Sequence, residues 1–397
     1  MSEHQMNARV VVVGGPGAMG RHAVRKLALL EHIATIVVAD IDEERAGLLA
    51  EEIGPKAMAV ALDVRDDEQL DRVFAGSDIV VNAMGPFVTF GKAVLTAAIR
   101  NDCDYIDIDD DWDATVEALE LDQAARDAGV TAIIGVGMSP GVTNLLAVQA
   151  AARLDEVHRI YTGWKMSGTG TDFEPRYDSK DATPAAVAHW VLQCSGQIQA
   201  WRDGEAAMVE PLEIVNVNYP GVGVQQAWSL GHPEPITLPR HFDGLDESLN
   251  MMTGPGWMFE SLREIAIEFS ADRIDLDEAL VRVAAIERPA DPAATPRDPM
   301  PPAWALVEGR RDGRTVTIGA HLTSRPPHRM GGGTGYPLAV GVQMMLEGLV
   351  TERGVLTPEL ALGHTEFFDR LAPMVDPPVA DGAALVTLVE NEGPATA

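Results

Sequence analysis

The sequence predicts an α/β protein whose first third is a doubly wound parallel sheet, followed by a second domain. Short apolar runs alternate with amphipathic helical segments in this part of the chain, and the first run leads directly into a glycine-rich turn. Parallel strands covered by helices on both faces have nearly continuous apolar sequences of this kind. At 397 residues the chain is longer than one ordinary core, so two domains are expected.

The predicted strands are short apolar runs, each bounded by residues typical of turns or helix starts. Helical stretches separate them along the chain. In chain order the runs are RVVVV, IATIVVAD, AMAVALDV, DIVVNA, DYIDID and GVTAIIGVG. This alternation predicts a Rossmann sheet, in which ligands bind at the carboxyl ends of the strands where the strand order reverses.

The glycine-rich turn after the first strand has the spacing of a dinucleotide site. Gly15, Gly17 and Gly20 stand in G-x-G-x-x-G order between a strand and a helix. The first glycine allows a tight turn, the second lets the backbone approach a pyrophosphate, and the third lets helix and strand pack closely. Phosphates would then lie on the N–H groups at the helix start, around Ala18 and Met19.

Asp40 ends the second predicted strand, twenty residues after the last glycine of the turn. A carboxylate at this position accepts hydrogen bonds from ribose hydroxyls and repels a 2′-phosphate. Ile41 follows it, then three more acids and Arg45. The pattern therefore favours NAD over NADP as the cofactor. The alternative is that Asp40 only caps the next helix.

The fourth predicted strand ends in small and apolar residues where loops are usually polar. This strand lies across the switch point from the first, so its end would line the path from pyrophosphate to nicotinamide. Uncharged residues there avoid an ion pair that would trap oxidised nicotinamide; an ordinary Gly–Pro turn is the alternative. At the adenine end, Asp63 and Val64 would bracket the ring. The residues of the fourth-strand turn are Ala83, Met84, Gly85, Pro86 and Phe87.

The composition excludes several classes of partner. A net charge of −30 argues against nucleic acid and anionic membrane surfaces, because phosphates must be met by Lys and Arg. Cys103 and Cys194 cannot form a disulfide framework, and no Cys/His cluster has metal-ligand spacing. No apolar run approaches a membrane span and the start is unlike a signal peptide, so we expect a cytoplasmic protein. The acidic run Asp109–Asp111 is expected to be mostly solvated surface.

Several motifs of this chain occur together in one known family. They are GGPGAMGR, VVNAMGPF, CDYIDIDDD, AGVTAIIGVGMSPGVTNLLA and, near the C-terminus, GGGTGYPLAVGVQMMLEGLVTERGVLTPEL. Together they resemble the saccharopine dehydrogenase-like family, which includes saccharopine reductases, lysine 6-dehydrogenase, carboxynorspermidine dehydrogenase and homospermidine synthase. The likeness is close from Arg9 to about Leu154 and in the C-terminal stretch, and thin between them.

This resemblance implies a domain organisation and a reaction. The expected domains are a Rossmann domain over 1–140, a second α/β (α+β) domain for substrate and dimerisation over 141–333, and C-terminal helices over 334–397 that return to the first domain. Family members are mostly homodimers and move a hydride between nicotinamide C4 and a carbon bonded to nitrogen in amino acids or amines. The apolar hairpin described next is a candidate dimer interface.

The rest of the chain gives clear local signals. Ser139 precedes a helix whose N-terminus would point at the cofactor, where free N–H groups suit a carboxylate or the nicotinamide amide; a plain N-cap is the alternative. VHRIYTGWK is a predicted strand, and Thr183 with Pro184 predicts the start of a helix. A turn around 312–313 joins two strands of a hairpin, and a buried helix is predicted to start at 334–337. ERPADPAATPRDPMPP is a predicted exposed connector.

Catalysis at a C–N bond needs a group that takes or gives a proton at nitrogen. Asp107 ends the fifth strand beside the cleft, with an N-cap or a bond to the neighbouring loop as the alternative. In the loop LGHPEPITLPRHF, His232 and Glu234 are candidates for proton transfer and Arg240 for binding a carboxylate, although most loop residues have no such role. Lys165 lies on a predicted buried strand, where burial would lower its pKa; the alternative is that it snorkels to the strand end.

Three functions are compatible with this nucleotide site. The first is an NAD-dependent oxidoreductase acting on an amino acid or amine. The second is an enzyme with resident NAD and net non-redox chemistry, like homospermidine synthase, and the third is a non-catalytic NAD sensor. Because 166–181 offers only Arg176 and Lys180 as cations, we expect a substrate with at most one carboxylate. An aromatic or amphipathic amine is expected from Trp164, Trp190, Trp201 and Trp228.

Overall fold

The computed structural model describes residues 7–166, 174, 176–178, 185–287 and 298–395. The predicted helix start at Thr183–Pro184, Lys180 and most of the proline-rich connector lie outside these residues. The chain forms two compact units. The first comprises Met1–Val142, Gly170–Ala182 and Ser324–Leu385, and the second comprises Thr143–Thr169, Thr183–Thr323 and Val386–Ala397.

The strands are short and alternate with helices in the first third of the chain. In chain order the strands are β1 (Ala8–Val13), β2 (Ile33–Asp40), β3 (Ala57–Ala61), β4 (Ile79–Asn82), β5 (Asp104–Asp107), β6 (Thr131–Ile133), β7 (Glu156–Lys165), β8 (Ile198–Arg202), β9 (Glu205–Val209), β10 (Ile214–Tyr219), β11 (Gly223–Ser229), β12 (Glu247–Thr253), β13 (Ala303–Arg311), β14 (Arg314–Leu322), β15 (Gly354–Leu356) and β16 (Val386–Ala395).

The α-helices are of very unequal length, between 4 and 18 residues. In chain order they are α1 (Gly20–Leu27), α2 (Glu43–Ile53), α3 (Asp67–Phe74), α4 (Phe87–Arg100), α5 (Trp112–Leu119), α6 (Asp122–Ala128), α7 (Val142–Ala151), α8 (Ala185–Gln193), α9 (Glu234–Thr237), α10 (Gly256–Ser270), α11 (Leu276–Ala284), α12 (Arg329–Leu346), α13 (Pro358–Ala361), α14 (His364–Leu371) and α15 (Gly382–Leu385). None of these helices, within the described residues, combines the length and apolarity needed to cross a membrane.

The first unit is built on a parallel sheet of seven strands in the order β15-β6-β5-β4-β1-β2-β3. Val10 on β1 pairs with Ile36 on β2 and Ile79 on β4, and all neighbours are parallel. The strand order reverses between β1 and β4, which confirms the predicted Rossmann sheet and its switch point. β15 was not predicted, because three residues of the C-terminal region carry no periodic signal of their own.

Helix α12 belongs to the first unit and begins earlier than the sequence predicted. The expected start at 334–337 is wrong by several residues, because the helix begins at Arg329 and Pro337 lies inside it. Glycines disfavour a helix interior in isolation, so the run Gly331–Gly333 concealed the start. Gly331 is tolerated in the helix because α12 packs closely on α1 at this residue, as detailed below.

The second unit is built on a mixed sheet of nine strands. The main path runs β10-β11-β12-β7-β13-β14-β16, and β8 with β9 attaches at β12. The hairpin of β13 and β14 is confirmed, with its turn at Asp312–Gly313, both of which have positive φ. Trp304, Tyr219 and Leu306 are part of its core. The predicted strand VHRIYTGWK and the predicted hairpin both lie in this sheet.

The division into units departs from the predicted domain boundaries. The first unit extends to Val142 rather than 140, and its return begins at Ser324 rather than 334. The expectation that all of 334–397 returns as helices to the first domain is wrong for Val386–Ala395. This segment is strand β16, which pairs antiparallel with β14 and so completes the sheet of the second unit.

Candidate functional site

The turn that follows β1 contacts the end of β4 directly. Gly14 has a φ of +69°, a conformation that favours glycine. A Cβ built on Gly14 would lie 2.9 Å from the Met84 Cβ. The Ala83 N–H also donates to the Val13 carbonyl at 2.9 Å. The structure therefore brings the predicted glycine turn and the predicted fourth-strand turn together, through a glycine that the sequence reasoning missed.

The turn has no room for side chains at the predicted glycines. A Cβ on Gly15 would lie 2.8 Å from Val38 Cγ1, and one on Gly17 would lie 3.0 Å from the Gly14 carbonyl oxygen. A Cβ on Gly20 would collide with that same oxygen and lie 2.8 Å from the Gly15 oxygen. Each glycine therefore permits a close approach of backbone, as a dinucleotide turn requires.

The turn offers backbone donors that have no partner within the described residues. The N–H groups of Ala18 and Met19 donate no hydrogen bond there, whereas the Gly17 N–H donates to the Gly14 oxygen at 3.0 Å. Met19 is the N-cap of α1 and its side chain makes no capping bond. Unpaired N–H groups at a helix start bind anionic oxygens. This backbone fits the pyrophosphate of a dinucleotide.

Asp40 ends β2 and is partly buried beside the helix that follows. Its Oδ1 accepts a hydrogen bond from the Asp42 N–H at 2.9 Å. Asp42, and not Asp40, is the N-cap of α2, since its own carboxylate accepts from the Arg45 N–H at 3.0 Å. The capping alternative for Asp40 is therefore wrong. Burial raises the pKa of Asp40 above its usual value. Ile41 beside it is exposed.

The two residues expected to bracket adenine differ in their surroundings. Asp63 follows β3 and forms an ion pair with Arg65, the Nη2–Oδ2 distance being 2.7 Å. The hydrogen bonds from Arg65 lower the pKa of Asp63 to about 2. Val64 is buried. The carboxylate of Asp63 is thus already engaged, and contact of Asp63 and Val64 with adenine stays a prediction.

Beyond β4 the chain turns immediately into helix α4. Asn82 stabilises this turn, because its Oδ1 accepts from the Met84 N–H at 3.1 Å. Pro86 is the N-cap of α4 and supplies no side-chain capping bond. Phe87 is buried, whereas Gly85 and Pro86 are partly exposed. The turn is uncharged throughout, as the sequence indicated, and it remains the candidate surface for the nicotinamide.

Asp107 ends β5 with its carboxylate fully engaged. Its Oδ1 accepts from the N–H groups of Gly135 at 2.7 Å and Asp109 at 3.0 Å. Its Oδ2 accepts from the Tyr105 hydroxyl at 2.8 Å. The alternative role, a hydrogen bond to the neighbouring loop, is thus what the structure contains. Burial, the largest cause, raises the pKa of Asp107.

The acidic run after β5 is buried, so the expectation of solvated surface is wrong for Asp109 and Asp111. Asp109 accepts from the Asp111 N–H at 3.0 Å and from the Thr115 hydroxyl at 2.8 Å. Asp111 accepts from the Val88 N–H at 3.1 Å. Burial first, and then the neighbouring acids, raise the pKa of Asp109 well above its usual value. Alternate acids can be buried here because each accepts backbone or hydroxyl hydrogens.

The loop after β6 carries Ser139 and is held by its own backbone. The Gly137 N–H donates to the Pro140 oxygen at 2.9 Å, and the Val142 N–H donates to the Gly137 oxygen at 3.0 Å. Gly141 has a φ of +110°. Helix α7 begins at Val142, as the sequence indicated. Ser139 is partly buried in this loop, and its contact with a cofactor stays a prediction.

In the second unit, His232 and Glu234 form a buried pair. The distance from His232 Nδ1 to Glu234 Oε2 is 2.6 Å, and the two side chains are 2% and 0% exposed. Glu234 Oε1 accepts from the Thr143 hydroxyl at 2.8 Å and the Asn250 amide at 2.9 Å. The ring of His189 lies edge-on to that of His232 at 5.4 Å.

Sequence reasoning did not identify the residues that support this pair. Thr143 stands in the SPGVTN motif, which was a usable signal. His189 and Asn250 stand in unremarkable helix and strand sequences, so only the fold reveals their proximity.

The other two candidates of the second unit are not part of this network. Arg240 ends a short 3₁₀ helix, is exposed, and forms no ion pair with a described residue. Lys165 ends β7, and its Nζ donates to the carbonyl oxygens of Asp298 at 2.6 Å and Met300 at 3.2 Å. This agrees with the alternative interpretation of Lys165, in which its side chain extends to the end of the strand.

A glycine turn whose N–H groups have no partner among the described residues, a carboxylate that ends the next strand and a switch point between β1 and β4 define a dinucleotide-binding domain, the kind that NAD(P)-dependent dehydrogenases use. Two family models match nearly the whole chain. The saccharopine dehydrogenase NADP binding domain matches residues 10–133, and the saccharopine dehydrogenase C-terminal domain matches residues 137–375. The chain belongs to the saccharopine dehydrogenase family.

Individual relatives agree with this assignment. Carboxyaminopropylagmatine dehydrogenase of Synechocystis sp. is 24% identical over 393 residues, covering 89% of this chain and 92% of the relative. Saccharopine dehydrogenase [NADP(+), L-glutamate-forming] of Saccharomyces cerevisiae is 34% identical over 210 residues, covering 52% of this chain and 45% of the relative. The apo structure of L-Glu-forming saccharopine dehydrogenase from the same yeast has a TM-score of 0.61 at 18% identity, covering 97% of this chain and 100% of that one.

Proposed function

We propose that the protein is an NAD-dependent oxidoreductase that moves a hydride between nicotinamide C4 and a carbon bonded to nitrogen in an amino acid or amine. The observation that carries the proposal is the turn at Ala18 and Met19, whose N–H groups have no partner among the described residues, in a chain of this family. Members similar to this chain are named as dehydrogenases of saccharopine and of carboxyaminopropylagmatine.

NAD rather than NADP is supported by the charges around the end of β2. A 2′-phosphate would meet the carboxylate of Asp40, with Asp42, Glu43 and Glu44 following directly in the chain. Arg45 is the nearest cation in sequence, but its Nη2 lies 3.4 Å from the carbonyl oxygen of Pro16, a hydrogen bond back to the glycine turn. The like charges therefore disfavour the 2′-phosphate, although the matching family domain is named for NADP.

The bound cofactor would supply a carbon that accepts or gives the hydride. The chain's own residues would hold it: Ala18 and Met19 through their N–H groups on the pyrophosphate, Asp40 on the ribose, and the uncharged turn 83–87 against the nicotinamide.

His232 and Glu234 are the candidates for proton transfer at the substrate nitrogen. Because Nδ1 of His232 is bonded to Glu234, Nε2 is the ring nitrogen available to a substrate. Glu234 would orient the imidazole, as a carboxylate does for a histidine base. The bonds from Thr143 and Asn250 would keep that carboxylate in place.

The contacts that Arg176 and the tryptophans make support a substrate with at most one carboxylate. Arg176 forms an ion pair with Glu51 at 3.2 Å. Trp228 stacks on Phe259 at 4.2 Å, as part of the packing of the second unit. Trp164 and Trp190 form a parallel pair at 6.4 Å in which Trp190 is buried and Trp164 is partly exposed, so an amine would contact this pair through Trp164.

Binding and turnover assays test the proposal. The purified protein is titrated with NAD, NADH and NADP, and a panel of amino acids, diamines and N-carboxyalkyl amines is then screened for a change in reduced-nicotinamide absorbance. We expect NAD to bind more tightly than NADP and at least one amine to give turnover. Absence of NAD and NADH binding would refute the proposal. Co-purified NAD with turnover but no net absorbance change would indicate the resident-cofactor chemistry instead.

A homodimer and a cytoplasmic location stay predictions of the sequence. The hairpin expected to form a dimer interface is internal to its sheet, because β13 pairs with β7 and β14 pairs with β16. Its strand edges are therefore occupied, so a dimer through this hairpin would have to use a face of the sheet and not edge-to-edge strand pairing. Light scattering of the purified protein measures the oligomeric state.

A further inference from the structure

Within the first unit, helix α12 packs on the start of helix α1 through two glycines. A Cβ built on Gly331 would lie 2.6 Å from the carbonyl oxygen of Ala18. One built on Gly335 would lie 2.5 Å from the carbonyl oxygen of Met19 and 2.9 Å from the Ala23 nitrogen. Real side chains do not tolerate such distances, and the obstacles are backbone atoms that cannot rotate away.

The neighbouring glycine of the same helix has a different environment. The nearest atom to a Cβ on Gly333 is the terminal methyl of Met138 at 3.8 Å, an ordinary contact with a flexible side chain. Helix α12 therefore contains glycines that the packing requires and one that it does not. Since glycine disfavours a helix interior, the required ones have a specific reason to be there.

The geometry points to that reason: we propose that Gly331 and Gly335 orient the N–H groups of the dinucleotide turn. A trans peptide is planar, so its carbonyl oxygen and its N–H point in opposite directions. The Ala18 oxygen faces α12 at Gly331, and the N–H of the same peptide belongs to Met19. The Met19 oxygen faces α12 at Gly335, and the N–H of that peptide belongs to Gly20.

Contact with α12 thus fixes both peptide planes with their N–H groups directed away from α12. The Met19 oxygen also accepts from the His22 and Ala23 N–H groups at 3.1 and 3.2 Å, so the bonds of α1 and the contact with Gly335 hold that peptide together. The Ala18 oxygen accepts no hydrogen bond among the described residues, so the contact with Gly331 is what resists rotation of its peptide. The two glycines are positioning residues: they act through the backbone of Ala18 and Met19 and touch no ligand. The inference rests on the proposed function, which places a pyrophosphate on this turn. The donors oriented by α12 are the N–H groups of Met19 and Gly20, and the Gly20 N–H, like that of Met19, donates no hydrogen bond among the described residues.

The test compares Gly335→Ala with the matched control Gly333→Ala. Each variant and the wild type is titrated with ADP-ribose, which contains the pyrophosphate, and with adenosine, which lacks it. We expect Gly335→Ala to weaken ADP-ribose binding by about tenfold or more, the equivalent of one misoriented donor pair, and to leave adenosine binding unchanged. Gly333→Ala should change neither affinity by more than about twofold.

Two results would overturn the inference. Unchanged ADP-ribose affinity in Gly335→Ala would mean that the contact does not orient the donors. Equal losses for ADP-ribose and adenosine would mean that the contact only maintains the fold. If Gly335→Ala does not fold, Gly331→Ala applies the same comparison to the Ala18 peptide. Wild-type protein that binds neither NAD nor ADP-ribose would refute the proposed function, and this inference with it. If the wild type binds both, a negative result in the variants refutes this inference alone.

Discussion

Asp111 accepts a hydrogen bond from the Val88 N–H at 3.1 Å, so the residue that precedes helix α5 stabilises the start of helix α4. Asp111 is the N-cap residue of α5 but makes no side-chain capping bond to that helix. Helix α4 begins at the turn proposed to contact the nicotinamide, and Pro86, its own N-cap residue, provides no side-chain acceptor. An acid distant in sequence therefore anchors this turn.

The hydrogen bond from Val88 to Asp111 predicts an effect at the nicotinamide end of the cofactor only. Asp111→Ala removes the acceptor at the helix start, which typically costs about 1 kcal/mol, or about fivefold in an equilibrium. We expect NAD affinity to fall by roughly that factor, while ADP-ribose affinity stays unchanged because the adenosine and pyrophosphate positions are elsewhere. Calorimetric titration measures both affinities.

Two further variants make this prediction specific. Asp111→Asn keeps an oxygen acceptor and should restore most of the NAD affinity. Glu117→Ala removes an exposed acid of helix α5 and should have no effect. The ion pair of Glu117 with Lys92, at 3.5 Å, is a surface interaction of little energetic value. Equal losses for NAD and ADP-ribose in Asp111→Ala would contradict a local role.

Asp40 should set both the affinity for NAD and the discrimination against NADP. Asp40→Ala removes a charged acceptor for the ribose hydroxyls, and hydrogen bonds to charged groups contribute about 1.5–3 kcal/mol. We expect NAD affinity to fall by about tenfold to a hundredfold and NADP affinity to rise relative to NAD. Fluorescence titration with the reduced cofactors measures the ratio.

The neighbouring acid Glu43 provides the matched control. Glu43→Ala removes the same charge from an exposed position in the first turn of α2 and should leave the preference for NAD nearly unchanged. Equal changes in the two variants would mean that general electrostatics, and not a bond from Asp40, determines cofactor choice.

Glu234 is expected to affect proton transfer and not cofactor binding. Glu234→Gln keeps the shape of the side chain but removes the negative charge bonded to His232. General acid–base catalysis contributes about a hundredfold to ten-thousandfold, so kcat should fall by at least about tenfold and its pH profile should move. Steady-state kinetics between pH 6 and 10 measures both effects.

NAD affinity should be unchanged in Glu234→Gln, because the glycine turn and Asp40 belong to the first unit. Arg240→Ala is the comparison variant from the same loop, since Arg240 is exposed and outside the buried network. A normal kcat and pH profile in Glu234→Gln would remove the pair from the mechanism and leave Asp107 and Lys165 as the candidates to test next.

The features predicted from sequence were those with a local cause. The glycine turn, Asp40 at a strand end and the turn at Asp312–Gly313 each follow from a backbone requirement that neighbouring residues express. The strand order also followed, because parallel strands joined by helices have few possible arrangements. These elements could be read without knowing any contact between distant segments.

The features that were missed depend on contacts between distant segments. The sequence indicated that Asp109 and Asp111 belong to a solvated run of charges. Their burial is explained only by hydrogen bonds to other elements. The start of helix α12 was predicted too late because the close contact of Gly331 with α1 is visible only in the fold. Asn250 contacts Glu234 from a strand whose sequence carries no motif, so only the fold shows that the two residues are close.

His22 should make the stability of the first unit depend on pH. Burial, the largest cause, lowers its pKa to about 4, and the charges of His328, Arg21 and Arg25 act in the same direction while Glu174 opposes them. The ring stacks on that of His328 at 4.7 Å and meets Tyr336 edge-on. In the unfolded chain the pKa is near 6.5, so the unfolded state binds the proton more readily. The free energy of unfolding should therefore fall as pH decreases from about 6.5 to about 4.

The variant His22→Gln removes this titration and should flatten the dependence over that interval, even if it lowers stability at pH 7. Denaturant unfolding at several pH values, followed with and without ADP-ribose to identify the transition of the first unit, measures the slope. His158→Gln, at a half-exposed histidine of the second unit, is the control and should leave the slope unchanged. An equally steep slope in His22→Gln and wild type would show that other groups of the first unit govern its acid sensitivity.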